Sequence, residues 1–216
     1  MVALIWDAPG EKTFETGLSK GVLYPATANG YGKGVVWNGL TTISESPSGG
    51  EASPFYADNQ KYLELMSIEE FAATIEAYTY PVEFGQCDGT YEAAPGLYVG
   101  QQAHKGFGLS YQTLLGDDLV GQELGFRIHL IYGALAKPSE KSRATVNDSP
   151  EPVSFSWEMT TTPIAVPGFK PSSHLYVDST TATPAQLTAL QALLYGTATT
   201  EPTLPLPGAL IDLLTT

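Results

Sequence analysis

With 216 residues, one cysteine and 16 prolines among 22 glycines, the chain suits one large, turn-rich all-β domain and excludes an intramolecular disulfide. Asp and Glu number 23 against 10 Lys and Arg, a formal charge of −13 that argues against duplex binding, because phosphate contacts need clustered cations. No apolar run reaches membrane-spanning length and no basic leader opens the chain, so neither a membrane span nor a secretion signal is expected, and lone Cys87 suits a reducing cytoplasm.

In chain order, the apolar run VALIW at residues 2–6 reads as a strand or an arm, and the arm is expected to extend over about residues 1–24. Residues 11–24 are mixed, with Gly17 and Gly21 as turn points. Residues 24–34, rich in Gly, Ala and Asn, read as a loop. Val35, Val36, Trp37, Leu40 and Ile43 give a strand over 34–44, and SESPSGGEAS over 44–53 gives a mobile hairpin loop. Residues 53–89 form the most organised stretch. Lys61 to Met66 has strand composition. Ser67-Ile68-Glu69-Glu70 has the form of a capping box, with the Ser67 hydroxyl accepting from the Glu70 N–H. Ala73, Ile75, Ala77 and Thr79 then alternate with Thr74, Glu76, Tyr78 and Tyr80, a two-residue period that Pro81 ends.

Residues 85–106 hold five glycines and read as a long loop. Alternation predicts strands over 107–113, 126–132 and 153–160, with a turn at Gly116-Asp117-Asp118 and a polar loop over 137–152. Residues 174–178 form a short strand. One helix is predicted: Thr183 is its N-cap, Pro184 its first residue and Gly196 its stop, with Leu187, Leu190, Leu193 and Leu194 on one stripe. A Pro-rich tail fills about 197–216. The expected fold is mainly β, a β-sandwich or part-open barrel with one flanking C-terminal helix, built as a single domain over 1–216. Ile75, Phe155, Trp157, Leu187 and Leu190 are its expected core.

Chemistry is sparse in the sequence. The pairs Glu69/Glu70 and Asp117/Asp118 are adjacent residues, which point to opposite faces of a strand and do not oppose each other across a substrate bond. His104, His129 and His174 lack ligand spacing, so a metal site arises only if folding brings them together. Cys87 lies in a turn without activating neighbours. The glycines of 30–34 lack the Lys-Ser/Thr ending of a phosphate loop. No catalytic residue, cofactor site or metal site is expected.

Several segments nonetheless resemble a family: Tyr56-Ala57-Asp58-Asn59, Ile68-Glu69-Glu70-Phe71, Glu76-Ala77-Tyr78-Thr79-Tyr80-Pro81, Gly100-Gln101-Gln102, Phe107-Gly108-Leu109-Ser110-Tyr111, IHLIYGALAK over 128–137, Thr145-Val146-Asn147-Asp148, Phe155-Ser156-Trp157 and Asp178-Ser179-Thr180. In this order they resemble the major tail proteins of long-tailed, siphovirus-type bacteriophages, with His104, Lys105 and Gln112 near places where the family carries arginine. The resemblance implies a virion protein that assembles in the host cytoplasm into stacked hexameric rings, forming a tail tube. Its implied partners are other copies of itself and the tape-measure, tail-terminator and distal-tail proteins, with DNA passing through unbound. The acidic balance then suggests a negative bore, for which Glu64, Glu76, Asp117 and Asp118 are the candidate lining residues. The alternatives are a β-sandwich binding module or a virion decoration protein.

Overall fold

The computed structural model describes residues 4, 6–143, 145, 148 and 152–215. Most of the VALIW run and part of the polar loop over 137–152 lie outside these residues. The strands are β1 Phe14–Thr27, β2 Gly30–Tyr31, β3 Val35–Val36, β4 Leu40–Glu45, β5 Ala52–Ala57, β6 Gln60–Met66, β7 Ala72–Ala77, β8 Tyr91–Ala94, β9 Leu97–Val99, β10 Phe107–Asp117, β11 Gly121–Ala136, β12 Phe155–Thr161 and β13 His174–Asp178. Two helices follow, α1 Pro184–Tyr195 and α2 Pro207–Thr215, and a 3₁₀ turn spans Val82–Gln86.

The main sheet is antiparallel and runs β2-β1-β10-β11-β12-β7-β4, with β13 on β11 and β3 on β1. Its two ends are drawn together by one short stretch of chain. Val35 and Val36 pair with Leu23 and Val22 of β1, while Leu40 to Glu45, a few residues on, pairs with β7 at the far end of the sheet. Trp37 N–H donates to Gly21 O, and Tyr78 N–H to Gly39 O, which ties both sides of the crossing. The strand expected over 34–44 is therefore broken at Trp37–Gly39, and the break closes the sheet into a part-open barrel.

A second device lets β11 serve two partners on one edge. Arg127 to Ile131 pair with β13, whereas Ala134 to Ala136 pair with β12. Between them Gly133 takes φ +60°, and a Cβ there would lie 2.3 Å from Thr162 O, so only glycine fits. The bulge also shifts the inward phase: Ile131 faces the barrel on one side of it, Ala134 and Ala136 on the other.

Alternation then divides the apolar residues into two cores. Inside the barrel lie Leu23, Trp37, Ile75, Phe84, Phe107, Leu109, Ile131, Trp157 and Met159, all buried. Phe155 is half-buried against them. The outer face of β1 and β11 offers Val22, Tyr24, Ile128, Leu130 and Tyr132, which are covered by Leu190 and Leu194 of α1 and Leu210 of α2, with Leu187 partly buried beside them. Two tyrosine hydroxyls pin the helical layer: Tyr24 donates to Leu194 O and Tyr132 to Pro205 O, and burial raises both phenols above their ordinary range.

Several sequence readings need correction. Residues 14–27 are one strand, not a mixed arm and loop; Gly17 at φ +71° and Lys20 at φ +52° sit at register shifts that β1 absorbs as bulges. Ser67 to Glu70 is not a capping box. Ser67 Oγ accepts from Glu51 N–H, and Glu70 bridges to Ser48, because no helix follows and these donors serve strand pairing instead. The 44–53 loop ends inside β5, and the 85–106 loop contains the 3₁₀ turn's end and the β8–β9 hairpin. The C-terminal tail carries a second helix, with Pro207 at its start. The helix signals of α1 hold in detail: Thr183 Oγ1 accepts from Gln186 N–H, and Gln186 Oε1 accepts from Thr183 N–H.

Candidate functional site

Two features differ from the apolar packing of the body. The first is the β5–β6 hairpin. Asp58 and Asn59 both take positive φ, the two-residue turn whose twist suits a tight hairpin. An Asp-Asn pair between two apolar runs is the signal that marks it in the sequence. The hairpin forms its own two-stranded sheet, and every residue of both strands is exposed. Phe55 opposite Leu63, and Ser53 opposite Leu65, place three apolar side chains on one face; Tyr62, Glu64 and Met66 share the other. Tyr62 and Met66 are each 71% exposed, and Ile68 just beyond is 82% exposed. Glu64 lies here, ion-paired with Lys61. The smaller β8–β9 hairpin likewise leaves Leu97, Tyr98 and Val99 exposed.

The second feature is a polar cluster between strands β1, β4, β10, β11 and β13. His129 of β11 and His174 of β13 meet with Nδ1 and Nε2 3.1 Å apart. Glu45, the last residue of β4, brings Oε1 to 3.8 Å from His174 Nε2 and accepts from the Tyr111 hydroxyl at 3.0 Å. On the other side, His129 Nε2 lies 3.1 Å from both Glu15 Oε1 and Thr113 Oγ1. Glu15 also receives the Thr113 hydroxyl at 2.6 Å and Arg127 Nη1 at 2.6 Å, while Arg127 Nε donates to Asp178 Oδ2 at 3.0 Å. Burial alone would raise the Glu15 carboxyl, but the Thr113 and His129 hydrogen bonds and the Arg127 charge outweigh it and hold it below the ordinary range. Burial keeps the His174 imidazole below its ordinary range, helped by His129 and opposed by Glu45. No spacing in the sequence brings these residues together; pairing in the sheet does.

The remaining acids fall in different places. Glu76 is half-buried on the outer face of β7, flanked in register by Thr42 of β4 and Ser156 of β12. Asp117 is 7% exposed, and its Oδ1 accepts from Leu119 and Val120 N–H, so it holds the β10–β11 turn rather than facing solvent. Asp118 is exposed and accepts from Gly10 N–H. Cys87 is buried, which pushes its thiol up to about 12 and disfavours the thiolate. His104 Nδ1 lies 2.9 Å from Ala136 O. An open apolar groove of about 380 Å³ beside α2 is lined by Val166, Phe169, Tyr176, Leu210 and Leu214.

No protein-family model and no curated protein matches the chain. Among solved structures, a chain from the cryo-EM structure of the anti-feeding prophage baseplate, 6-fold symmetrised, aligns with 81% of this chain and 97% of its own length, at a TM-score of 0.40 and 9% identity. At that depth the likeness carries no argument about function.

Proposed function

We propose that this chain is a self-assembling structural protein of a phage particle, a tail-tube subunit that stacks in rings. The observation that carries the reading is the β5–β6 hairpin. A lone two-stranded hairpin is marginal in water, and this one has apolar side chains on both faces with no cover from the described residues. Its order and its apolar area have a physical rationale once a neighbouring copy supplies the missing layer. The segment resemblance to major tail proteins points the same way, since Tyr56 to Asn59 forms the tip of this hairpin.

The proposed bore face is the outer side of β4, β7 and β12. Thr42, Ser44, Thr74, Glu76, Ser156 and Glu158 share it by register, a surface of hydroxyls and carboxylates. Lys137 beside this face is ion-paired with Glu158 at 3.3 Å, so the excess charge of the wall is the Glu76 carboxylate. A wall with that cation neutralised and a carboxylate in excess repels phosphate, which suits passage of DNA without binding. Glu76 is the bore residue in this reading. Glu64, on the hairpin, belongs to the contact between copies.

Electron microscopy and light scattering of the purified chain across a concentration series test the proposal. The expected result is growth from monomers into rings or tubes, lost in a Tyr62→Asp, Leu65→Asp variant whose circular dichroism is unchanged. A chain that stays monomeric at high concentration, or a hairpin variant that assembles like the wild type, refutes it and favours a binding module.

A further inference from the structure

We propose that Glu45, His129 and His174 form a binding site for a divalent transition-metal ion of the zinc class, supported by Glu15, Thr113 and Tyr111. Two imidazoles and one carboxylate are a donor set that such ions take readily, leaving a further position for water. The three ligand atoms lie within 4.8 Å of one another. The proposal is independent of the assembly reading.

Hydrogen bonding sets the tautomer that a metal needs. The Thr113 hydroxyl donates to Glu15, so its 3.1 Å contact with His129 Nε2 requires the proton on Nε2. The Glu15 carboxylate accepts at the same nitrogen. Both contacts leave His129 Nδ1 bare, with its lone pair towards His174. This carboxylate–histidine arrangement is the one that orients and strengthens a metal-binding imidazole. Arg127 in turn fixes Glu15. Glu45 has its own support in the Tyr111 hydroxyl. Aromatic rings wall the site: Tyr111 is stacked on His129 at 4.6 Å, and Phe71 on His174 at 4.9 Å.

The metal-free geometry is that of a shared proton. The two histidine ring planes are 5° apart, with centroids separated by 5.4 Å and nitrogens by 3.1 Å. The difference is about two ring radii, so both nitrogens lie on the line between the ring centres. His174 Nε2–H therefore donates straight to His129 Nδ1. Two Zn–N bonds at a tetrahedral angle separate their nitrogens by about 3.4 Å. Metal binding therefore needs the nitrogens to part by a few tenths of an ångström and the rings to tilt out of line. The His174 proton moves to its own Nδ1 through solvent, so a neutral pair binds without net proton release. The means of access is present as well: the Glu45 side chain is 39% exposed while that of His129 is 9% exposed. An ion can enter from the Glu45 side and finish on the buried imidazole.

The full chain, stripped with chelator, is titrated with Co²⁺ by visible absorption and with Zn²⁺ by calorimetry. The expected result is one saturable site per chain, with Zn²⁺ displacing Co²⁺. His174→Ala and Glu45→Gln each weaken it severely, and Glu15→Gln weakens it about 10–100-fold without touching the ion. His104→Gln leaves it unchanged. Because His174→Ala and Glu45→Gln alter partly exposed side chains, either serves if the other unfolds. Absence of saturable binding overturns the proposal, as does a site that survives both substitutions or is lost with His104.

Discussion

Truncating Trp157 tests the barrel core most directly. Its indole is fully buried and meets Phe84 at 5.0 Å, Tyr80 at 5.3 Å, Phe155 at 5.6 Å and Trp37 at 5.9 Å, mostly edge to face. Trp157→Ala removes the centre of that cluster, and the surrounding strands are held by the sheet and cannot collapse into the gap. A loss of about 3–5 kcal/mol is expected. At a denaturant sensitivity of about 2 kcal/mol per molar urea, this lowers the unfolding midpoint by about 2 M. Trp157→Phe separates packing from polarity. Trp157 Nε1–H is buried without a hydrogen-bond partner among the described residues. Removing it recovers a desolvation cost of about 1–3 kcal/mol, which offsets much of the lost ring volume. The Phe variant should therefore lose only about 1 kcal/mol. Urea unfolding followed by circular dichroism, at chain concentrations below assembly, gives both values; the low concentration matters because association adds apparent stability. An unchanged midpoint in Trp157→Ala refutes the core assignment. A Phe variant as unstable as the Ala variant shows that the indole N–H has a partner after all.

Two further outcomes follow from local geometry. Gly133→Ala places a Cβ against Thr162 O in a positive-φ conformation. It should cost at least about 1–3 kcal/mol in thermal unfolding, and a neutral result would show that β11 does not need its bulge to change partners. Burial works against the Asp178 carboxylate, but hydrogen bonds from Thr180 and the Arg127 contact outweigh it and lower its folded-state affinity for protons. Its contribution to stability is therefore present above the ordinary carboxylate range and lost as pH falls through the depressed folded value. Asp178→Asn should flatten that acid limb of a stability–pH profile, and an unaltered limb would remove Asp178 from it.

How much of this was legible in the sequence depends on the range of the forces involved. Strands 107–113, 126–132 and 153–160 announce themselves because burial of one sheet face imposes a two-residue period on neighbouring residues. Helix α1 is equally local: its N-cap, first proline and terminal glycine satisfy backbone groups within a few residues of each other. Ala73, Ile75 and Ala77 point inward for the same reason that Trp157 does, by alternation against a shared core.

What lay beyond the sequence depends on residues far apart along the chain. Gly17 and Gly21 read as turns, yet β10 lies beside this stretch and pairing across the register shifts carries one strand through both. Pro207 and Gly208 disguise α2, whose apolar face gains its value from packing on the outer side of β11. The hairpin's exposure is equally a tertiary fact, since its composition alone would suit a buried sheet. The polar cluster is the extreme case. Glu15 and His129 stand 114 positions apart, and His129 and His174 stand 45 apart. Their residue types were visible, but only the pairing of β11 with β13 and the closing of β4 against the barrel could bring the two imidazoles and Glu45 within reach of one ion. Periodicity records which face a residue takes, whereas the meeting of side chains is set by register and closure, which no local pattern encodes.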